Sequence, residues 1–183
     1  MAKNSTPIFV RKKILEVIEY IFDLGKKPSA IELTKKVRQI KKLYEDCNNP
    51  NDIESISMSV GCNNYKKYVI DDLNNFQVAS GCPIGVKSAA YHNFLLNKNP
   101  ELKKKYSFIQ SGEKVKYYYT KDPDNPIFGY IRNSYPVEFA PPINIDLQFE
   151  KTFLAILNRF NVVLGLPEYN SRLSVIHSLF SEL

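Results

Sequence analysis

The residue types that most often carry out chemistry are few in this sequence, and their spacing matches no common site. The chain has 183 residues, with three cysteines and two histidines. The spacing of these five residues does not fit a zinc site, and we expect each cysteine to be a small buried apolar residue. The sequence also shows no glycine-rich phosphate loop and no nucleophile motif. It therefore predicts no catalytic residue, no metal ion and no cofactor on this chain. The five residues are Cys47, Cys62, Cys82, His92 and His177.

Positive charge is the chemical feature that remains. Lysine and arginine total 25 against 19 acidic residues, for a net charge of +6. A basic surface suits the phosphates of a nucleic acid. It equally suits a solvated outer face, and the residues alone leave both interpretations open. The clearest group of cations consists of Lys35, Lys36, Arg38, Lys41 and Lys42.

The composition excludes several classes of protein. Hydrophobic residues make up 44% and charged residues 24%, which is typical of a globular domain. No apolar run approaches the length of a membrane span, and the N-terminal residues lack the apolar core of a secretory signal. An odd number of widely spaced cysteines does not indicate a disulfide framework. We therefore expect neither a membrane partner nor a secreted, disulfide-rich domain.

Two amphipathic helices are predicted to position the cations in the first third of the chain. Ser5 with Pro7 favours a helix start, and Gly25 favours a helix end. Ser29 and Glu32 form a possible capping box for a second helix, which carries the five cations. Apolar residues recur at helical spacing in both segments. They are Val10, Ile14, Val17, Ile18 and Ile21, then Leu33, Val37, Ile40 and Tyr44.

The rest of the chain predicts a small sheet and two more helices. One helix is expected to start at Pro83, and a closing helix near Asp146. Apolar residues alternate over residues 56–60 and again after Gly112, which predicts two strands. The sequence therefore predicts an α+β fold that is mostly helical, with a small antiparallel sheet.

Five segments resemble, in one order, the thumb of the T-even bacteriophage type of family B DNA polymerase. Residues 5–11 are similar to the Ser-Ser-Thr-Pro segment that enters the thumb, and residues 146–154 to its closing Asp-x-Gln-Phe-Glu-Lys-Thr-Phe helix. The specificity lies in the order and spacing of the segments, which span nearly the whole chain. The other three segments are residues 56–68, with Gly61, Asn63, Asn64, Lys67 and Tyr68; residues 82–93, with Pro-Ile-Gly-Val-Lys; and residues 112–117, with Gly-Glu-Lys-Val-Lys-Tyr.

The resemblance implies a thumb-like helical domain that holds the duplex of primer and template just made by a polymerase. In the family, the thumb follows the palm and binds DNA without reading its sequence. The implied divisions are a thumb domain over residues 1–165, with a helical base at 5–48, a small mixed subdomain at 52–140 and a closing helix at 145–161, and a C-terminal tail over 166–183.

The resemblance also implies a partner chain. The family's catalytic carboxylates, its fingers and its 3′–5′ exonuclease lie upstream of the thumb, and none of them is in this sequence. We therefore expect a separate chain to carry these parts and the Mg²⁺ ions, with residues 5–10 at the interface with its palm. The present chain would be part of a DNA-directed DNA polymerase, a nucleotidyltransferase, working in the cytoplasm of a phage-infected bacterial cell.

Four lysines are implied to contact DNA. Lys87 stands at the family's basic position after Pro-Ile-x-Val, and Lys151 at the lysine of Glu-Lys-Thr-Phe. Lys114 and Lys116 lie on one side of a predicted strand and are two further candidates for phosphate contact. A solvated surface lysine is the alternative at each position.

The sequence departs from the family at several positions. Ser59 and Val60 replace a Pro-Arg pair, and Gly85 replaces a common histidine. Ala155 and Ile156 stand where relatives often have Lys-Pro. Each change removes a polar or charged contact, so the hold on DNA is expected to be weaker at these points.

The C-terminal residues resemble a docking peptide. Relatives carry a short terminal element that binds the sliding clamp, and Ser178-Leu179-Phe180 looks like that element. The alternative is that Leu173, Ile176 and Phe180 pack on this domain at helical spacing. The sequence leaves both open, with a sliding clamp as the expected partner.

A second function class competes with the thumb. A stand-alone basic regulator that binds nucleic acid would use the helix over residues 29–44 to read a preferred site. Such a protein discriminates strongly between sequences. A thumb, which holds duplex through its phosphates, does not.

Overall fold

The computed structural model describes residues 5–70 and 76–173, and the backbone of 175–176. Within this part of the chain, helices and short antiparallel strands confirm the predicted α+β class. No described helix combines the length and the apolar character needed to cross a bilayer. In chain order the elements are α1 (Ile8–Asp23), α2 (Ala30–Glu45), α3 (Pro50–Ile56), β1 (Met58–Gly61), α4 (Tyr65–Tyr68), β2 (Val69–Ile70), β3 (Gln77–Val78), α5 (Ile84–Asn97), a 3₁₀ turn (Pro100–Lys104), β4 (Lys114–Tyr119), β5 (Ile127–Ile131), α6 (Ile145–Phe149), a π-helical turn (Glu150–Leu154), α7 (Ala155–Val163), β6 (Glu168–Tyr169) and β7 (Val175–Ile176).

The chain forms two compact units. Met1–Asn48 and Ile145–Leu183 together make one unit, which we call the helical unit. Asn49–Asn144 makes the other, which we call the sheet unit. The predicted extent of a thumb domain over residues 1–165 stays a prediction.

The first two helices form as their sequence patterns indicate. Four apolar residues of α1 are buried at the predicted spacing, and four of α2 likewise. Pro7 is the N-cap of α1, and the first helical residue is Ile8. A proline in the first helical position would instead have started the helix at Pro7. The capping box of α2 is present: the Ser29 hydroxyl accepts from the Glu32 amide at 3.2 Å, and the Glu32 carboxylate accepts from the Ser29 amide at 2.8 Å. Gly25 follows α1 with φ of +60°, a conformation that glycine adopts without strain.

The closing helix is interrupted, which the sequence pattern did not predict. Between α6 and α7 the chain takes a π-helical turn over Glu150–Leu154. Phe149 and Phe153 are fully buried there, with rings stacked at 5.2 Å. The Thr152 hydroxyl donates to the carbonyl of Gln148 at 2.6 Å and lies 2.9 Å from the hydroxyl of Tyr44 on α2. This contact ties the π-helical turn to α2.

The segment after α7 belongs to the helical unit. Leu166, Tyr169 and Leu173 are buried. The Tyr169 hydroxyl lies 3.1 Å from the Thr34 hydroxyl on α2. Residues 166–173, which we expected to begin a C-terminal tail, therefore contribute side chains to the core of this unit.

The sheet unit is built on three antiparallel strands in the order β1-β4-β5. Alternate residues of β4 enter different clusters of buried side chains. Val115 packs with Val86 and Ala89 of α5, whereas Tyr118 packs with Phe128 and Tyr130 of β5. The strand predicted over residues 56–60 begins at Met58 instead, because Ile56 is the buried last residue of α3.

Candidate nucleic-acid interface

Three of the segments that carry the resemblance meet in the sheet unit. β1 pairs with β4, with Gly61 opposite Lys114. The first turn of α5 lies against the end of β1: a Cβ placed on Gly85 would lie 2.3 Å from the Gly61 carbonyl oxygen. That approach leaves no room for any side chain at residue 85, so the histidine common in the family that the sequence resembles does not fit this backbone. The departure at Gly85 therefore has a steric reason.

Four lysines lie on the elements that meet at this junction or directly follow it. Lys66 and Lys67 are exposed on the short helix α4, which follows Asn64 in the left-handed conformation. Lys114 is exposed at the start of β4, and Lys87 is half-buried in the first turn of α5. Within the described residues, none of the four forms an ion pair. We call this group, Lys66, Lys67, Lys87 and Lys114, the basic end of the sheet unit.

Helix α5 adds backbone donors to the basic end. Its N-cap is Pro83, which provides no side-chain cap for the first helical amides. The amide groups and dipole at a helix N-terminus favour a negative group such as phosphate. An acidic residue is also present, because Asp124 lines the same shallow groove as Lys87.

Sequence reasoning gave Lys66 no role, and Lys67 appeared only within a resembling segment. The signal that was available is a pair of adjacent lysines between Tyr65 and Tyr68, directly after a Gly-Cys-Asn-Asn turn. The Lys67 ammonium lies 5.3 Å from the centre of the Tyr68 ring. The exposed position of both lysines follows from the fold, since α4 is too short to show a helical period.

Lys116 has a different setting from Lys114. Its ammonium lies 3.4 Å and 3.5 Å from the carbonyl oxygens of Glu54 and Ser57, at the C-terminal end of α3. Burial lowers the pKa of Lys116, although the Glu54 carboxylate opposes that shift. Cations suit the carbonyl end of a helix. The side chain of Lys116 therefore contacts its own unit, whereas Lys114 faces solvent.

Lys151 belongs to the helical unit, on the π-helical turn. Its ammonium lies 3.3 Å from the carboxylate of Glu150, and about half of its side chain is exposed. An exposed pair of this kind is weak and exchanges readily with other anions. Lys151 is thus open to solvent.

The five cations predicted on the second helix divide into two sets. Lys41 bonds to Asp146 at 2.8 Å, and this hydrogen bond raises the pKa of Lys41. Lys36 lies 5.8 Å from the centre of the Tyr20 ring. The other three are exposed and form no ion pair within the described residues; they are Lys35, Arg38 and Lys42. These three share one face of α2, because they are spaced three and four residues apart.

Three further predictions concern the C-terminal peptide, the cysteines and a metal site. Ser178, Leu179 and Phe180, the expected clamp-binding residues, lie outside the described residues. The prediction of buried cysteines is confirmed for Cys62 and wrong for Cys47 and Cys82, which are partly exposed. Among the described residues there is no group of three or more His, Cys, Asp or Glu side chains that could hold a metal ion.

Comparison with known proteins leaves the family open. No protein-family model matches the chain, and no curated protein matches it either. The resemblance to a polymerase thumb therefore stays a prediction that rests on the sequence segments.

Proposed function

We propose that this chain is the thumb subunit of a split family B DNA polymerase of the T-even phage type. It binds primer–template duplex through the phosphate backbone, and a separate chain supplies the palm, fingers and exonuclease with their Mg²⁺ ions. The observation that carries the proposal is the junction at Gly61. There, three of the resembling segments pack against one another and present the basic end.

The chemistry of the basic end fits duplex held without sequence preference. Lysines and helix N-terminal amides bind phosphate oxygens, which are the same at every base pair. Lysine is a compact point charge on a flexible stem, so its contacts tolerate small changes of register along the backbone. This arrangement requires no contacts with the bases. That suits a replicative enzyme, because such an enzyme must move along any template.

Duplex binding is tested with fluorescence anisotropy on several unrelated duplexes over a range of salt concentrations. We expect similar affinities for all sequences and a steep loss of affinity with salt. The variant Lys66→Gln/Lys67→Gln should reduce the salt slope by about 1.8, because each phosphate contact contributes about 0.9. The matched control is Lys103→Gln/Lys104→Gln, an exposed adjacent pair in the same unit that lies on the 3₁₀ turn.

Two outcomes would contradict duplex binding at the basic end. One is an equal loss of affinity in the control pair, which would indicate a diffuse charge effect. The other is a salt slope that Lys66→Gln/Lys67→Gln and Lys87→Gln/Lys114→Gln both leave unchanged. A marked preference for one duplex would favour a regulator over a thumb.

The polymerase assignment needs a second test, with the predicted partner. That partner is a chain with the palm, fingers and exonuclease of the same polymerase type that ends before a Ser-Thr-Pro segment. We expect no nucleotide incorporation by the present chain alone, and longer primer extension when it is added to the partner. Extension that is the same with and without the present chain would reject the assignment, even if duplex binding had been found.

A stand-alone regulator is the second candidate, and one observation favours it. Lys35, Arg38 and Lys42 form an exposed stripe on α2 that forms no ion pair within the described part of the chain. The triple variant Lys35→Gln/Arg38→Gln/Lys42→Gln distinguishes the two candidates. If α2 reads a site, this variant removes the preference among duplexes; if the chain is a thumb, there is no preference to remove.

A further inference from the structure

An exposed apolar stripe runs the length of α1 on the side away from its buried residues. Ile8, Leu15 and Phe22 are 65%, 54% and 67% exposed. They are spaced by seven residues, which is close to two helical turns, so they lie above one another on one face. At a rise of 1.5 Å per residue, the stripe is about 21 Å long. We call Ile8, Leu15 and Phe22 the α1 stripe.

The α1 stripe is symmetric about its centre. Ile8 and Phe22 are each seven residues from Leu15. A second α1 helix laid antiparallel against it therefore places Leu15 on Leu15, and Ile8 on Phe22, twice. A surface that matches itself under a two-fold rotation is the requirement for a closed homodimer.

Two opposite charges lie at similar distances on either side of Leu15: Lys12 is three residues before it and Glu19 four residues after it. Lys12 and Glu19 lie along one flank of the stripe, and both are exposed. Neither forms an ion pair within the described residues, in contrast to the neighbouring Lys13, which bonds to Glu16 at 2.8 Å. In the antiparallel arrangement Lys12 faces Glu19 of the second copy, and Glu19 faces Lys12.

A parallel arrangement has no such pairing. Its two-fold axis runs along the helices and sets the flank of Lys12 and Glu19 against the opposite flank of the second copy, so Lys12 and Glu19 form no ion pair with each other. The parallel arrangement also sets the two helix dipoles parallel, which is unfavourable. In the antiparallel arrangement the dipoles point in opposite directions and attract. The charge pattern therefore selects the antiparallel pair.

We propose that α1 pairs with α1 of a second copy of this chain, antiparallel, through the α1 stripe and two Lys12–Glu19 ion pairs. This self-association goes beyond the proposed function and does not depend on it. Three apolar side chains on each copy make a small interface, at the low end of the range for specific contacts. The dimer is accordingly weak and concentration-dependent.

Sedimentation velocity on the full chain is the measurement. We expect a monomer at about 1 µM and a dimer that grows in toward about 1 mM, the range of affinity that a small interface supports. Leu15→Lys places two ammonium groups together at the centre of the pair and should abolish the dimer. The control is Ile31→Lys on α2, an exposed isoleucine of the same unit at 82% exposure, which should leave the dimer unchanged.

Charge reversal tests the orientation of the helices. Lys12→Glu alone and Glu19→Lys alone each place two like-charged pairs in the contact, and each should weaken dimerisation about tenfold. The double variant Lys12→Glu/Glu19→Lys restores both ion pairs and should recover the original affinity. In a parallel pair Lys12 and Glu19 do not face each other, so exchanging their charges would not rescue the single variants. Failure of the rescue therefore overturns the proposed arrangement.

Two further results would overturn self-pairing itself. One is a chain that stays monomeric at about 1 mM, a concentration above the dissociation constants of weak specific complexes. The other is a dimer that Leu15→Lys and Ile31→Lys affect equally. If the chain is monomeric and Leu15→Lys instead prevents assembly with the polymerase partner, the α1 stripe is an interface with that partner and not with a second copy.

Discussion

The helical unit and the sheet unit each contain the same series of three hydrogen-bonded groups: a tyrosine hydroxyl, a serine or threonine hydroxyl and a backbone carbonyl. In the helical unit the Tyr44 hydroxyl donates to the Thr152 hydroxyl at 2.9 Å, which donates to the Gln148 carbonyl at 2.6 Å. In the sheet unit the Tyr130 hydroxyl donates to the Ser57 hydroxyl at 2.9 Å, which donates to the Ile53 carbonyl at 2.7 Å. In both, a tyrosine is tied to the carbonyl four residues before a serine or threonine.

The two series of hydrogen bonds lie at different places in their helices: one within a helix that continues, the other at a helix end. Thr152 lies inside a π-helical turn, and the helix continues into α7. Ser57 caps the end of α3, where the Lys116 ammonium also contacts the carbonyl oxygens of Glu54 and Ser57. The same device thus accommodates a widened turn in one unit and a helix end in the other.

Among the described residues, the core of the sheet unit contains more buried tyrosines than that of the helical unit, five against two, together with a buried histidine. The Tyr118 hydroxyl donates to the Pro141 carbonyl at 2.6 Å, and Tyr91 donates to Asp122 at 2.8 Å. His92 is 1% exposed, with its two ring nitrogens 3.1 Å and 3.2 Å from the carbonyl oxygens of Gly129 and Ser107. Such groups are tolerated in a small core only while they are hydrogen-bonded, and a buried histidine is costly to charge. The helical unit also has buried polar side chains, among them Gln148, Thr152 and Asn161, beside the apolar stripes of its helices.

The largest expected effect comes from the ring at the centre of the sheet unit. Phe128 is fully buried and contacts the rings of Tyr91, His92, Tyr118 and Phe139. Phe128→Ala should lower the free energy of unfolding by about 3–5 kcal/mol, because it leaves a cavity among groups that cannot close it. Urea unfolding followed by tyrosine fluorescence measures this loss.

The control for that substitution is Phe108→Ala in the same unit. Phe108 is 36% exposed and lies on the segment before β4, so its removal should cost much less. Equal losses for the two variants would show that the aromatic cluster around Phe128 does not hold the sheet unit together. The contrast with the helical unit would then fail.

Acid should weaken the protein through His92, a core histidine of the sheet unit. Burial lowers the pKa of His92 to about 4, although the two carbonyl oxygens oppose that shift. Because the unfolded chain then binds a proton more readily than the folded one, stability is complete above pH 6.5 and falls as the pH drops toward 4. The expected loss is on the order of 3 kcal/mol. It is measured by urea unfolding at a series of pH values.

A variant that cannot titrate separates His92 from the acidic residues. The pKa of Asp122 is lowered by its bond from Tyr91, and that of Glu138 by its bond from Lys105. These carboxylates lose their contribution only as the pH falls below about 4.5, the ordinary value for glutamate. His92→Gln should therefore flatten the pH dependence between 6.5 and 4.5 and leave the steeper loss below it. An unchanged slope in that window would contradict the role of His92.

The close approach of α5 to β1 predicts a smaller effect. Gly85→Ala places a Cβ 2.3 Å from the backbone oxygen of Gly61, and neither backbone can move without disturbing β1. We expect destabilisation of about 1–3 kcal/mol. The control is Gly61→Ala, whose Cβ would meet only the flexible side chain of Asn63 at 3.3 Å. If the two glycines prove equally tolerant, the junction at Gly61 is looser than the structure indicates.

Sequence reasoning succeeded where structure is fixed by near neighbours. The spacing of apolar residues and the Ser29–Glu32 capping box were enough to predict α1 and α2. Both depend on residues within one or two turns of each other. The alternation in β4 correctly paired Lys114 with Lys116 on one side of the strand.

The failures involve partners that are distant in sequence. The π-helical turn includes Thr152, whose partner Tyr44 lies 108 residues earlier. Lys116 contacts carbonyls at the end of α3, about 60 residues away, so its pattern on the strand could not distinguish it from the exposed Lys114. Lys66 and Lys67 showed no period, because a single turn of helix is too short to have one. The candidate site was therefore predicted in part, and its membership depends on how the chain packs.

The last prediction concerns the two matched series of hydrogen bonds and has the smallest expected effect. It compares the two units directly. Tyr44→Phe and Tyr130→Phe each remove one buried hydrogen bond and leave the serine or threonine hydroxyl still donating to its helix carbonyl. Each should cost about 0.5–1.5 kcal/mol in the free energy of unfolding. Thr152→Val and Ser57→Ala complete two double-mutant cycles, and the coupling energy in each measures the tyrosine contact alone. Coupling in both cycles means that the two units use the device alike. Coupling in the sheet unit alone would mean that the π-helical turn forms through packing of Phe149 and Phe153, without help from Tyr44.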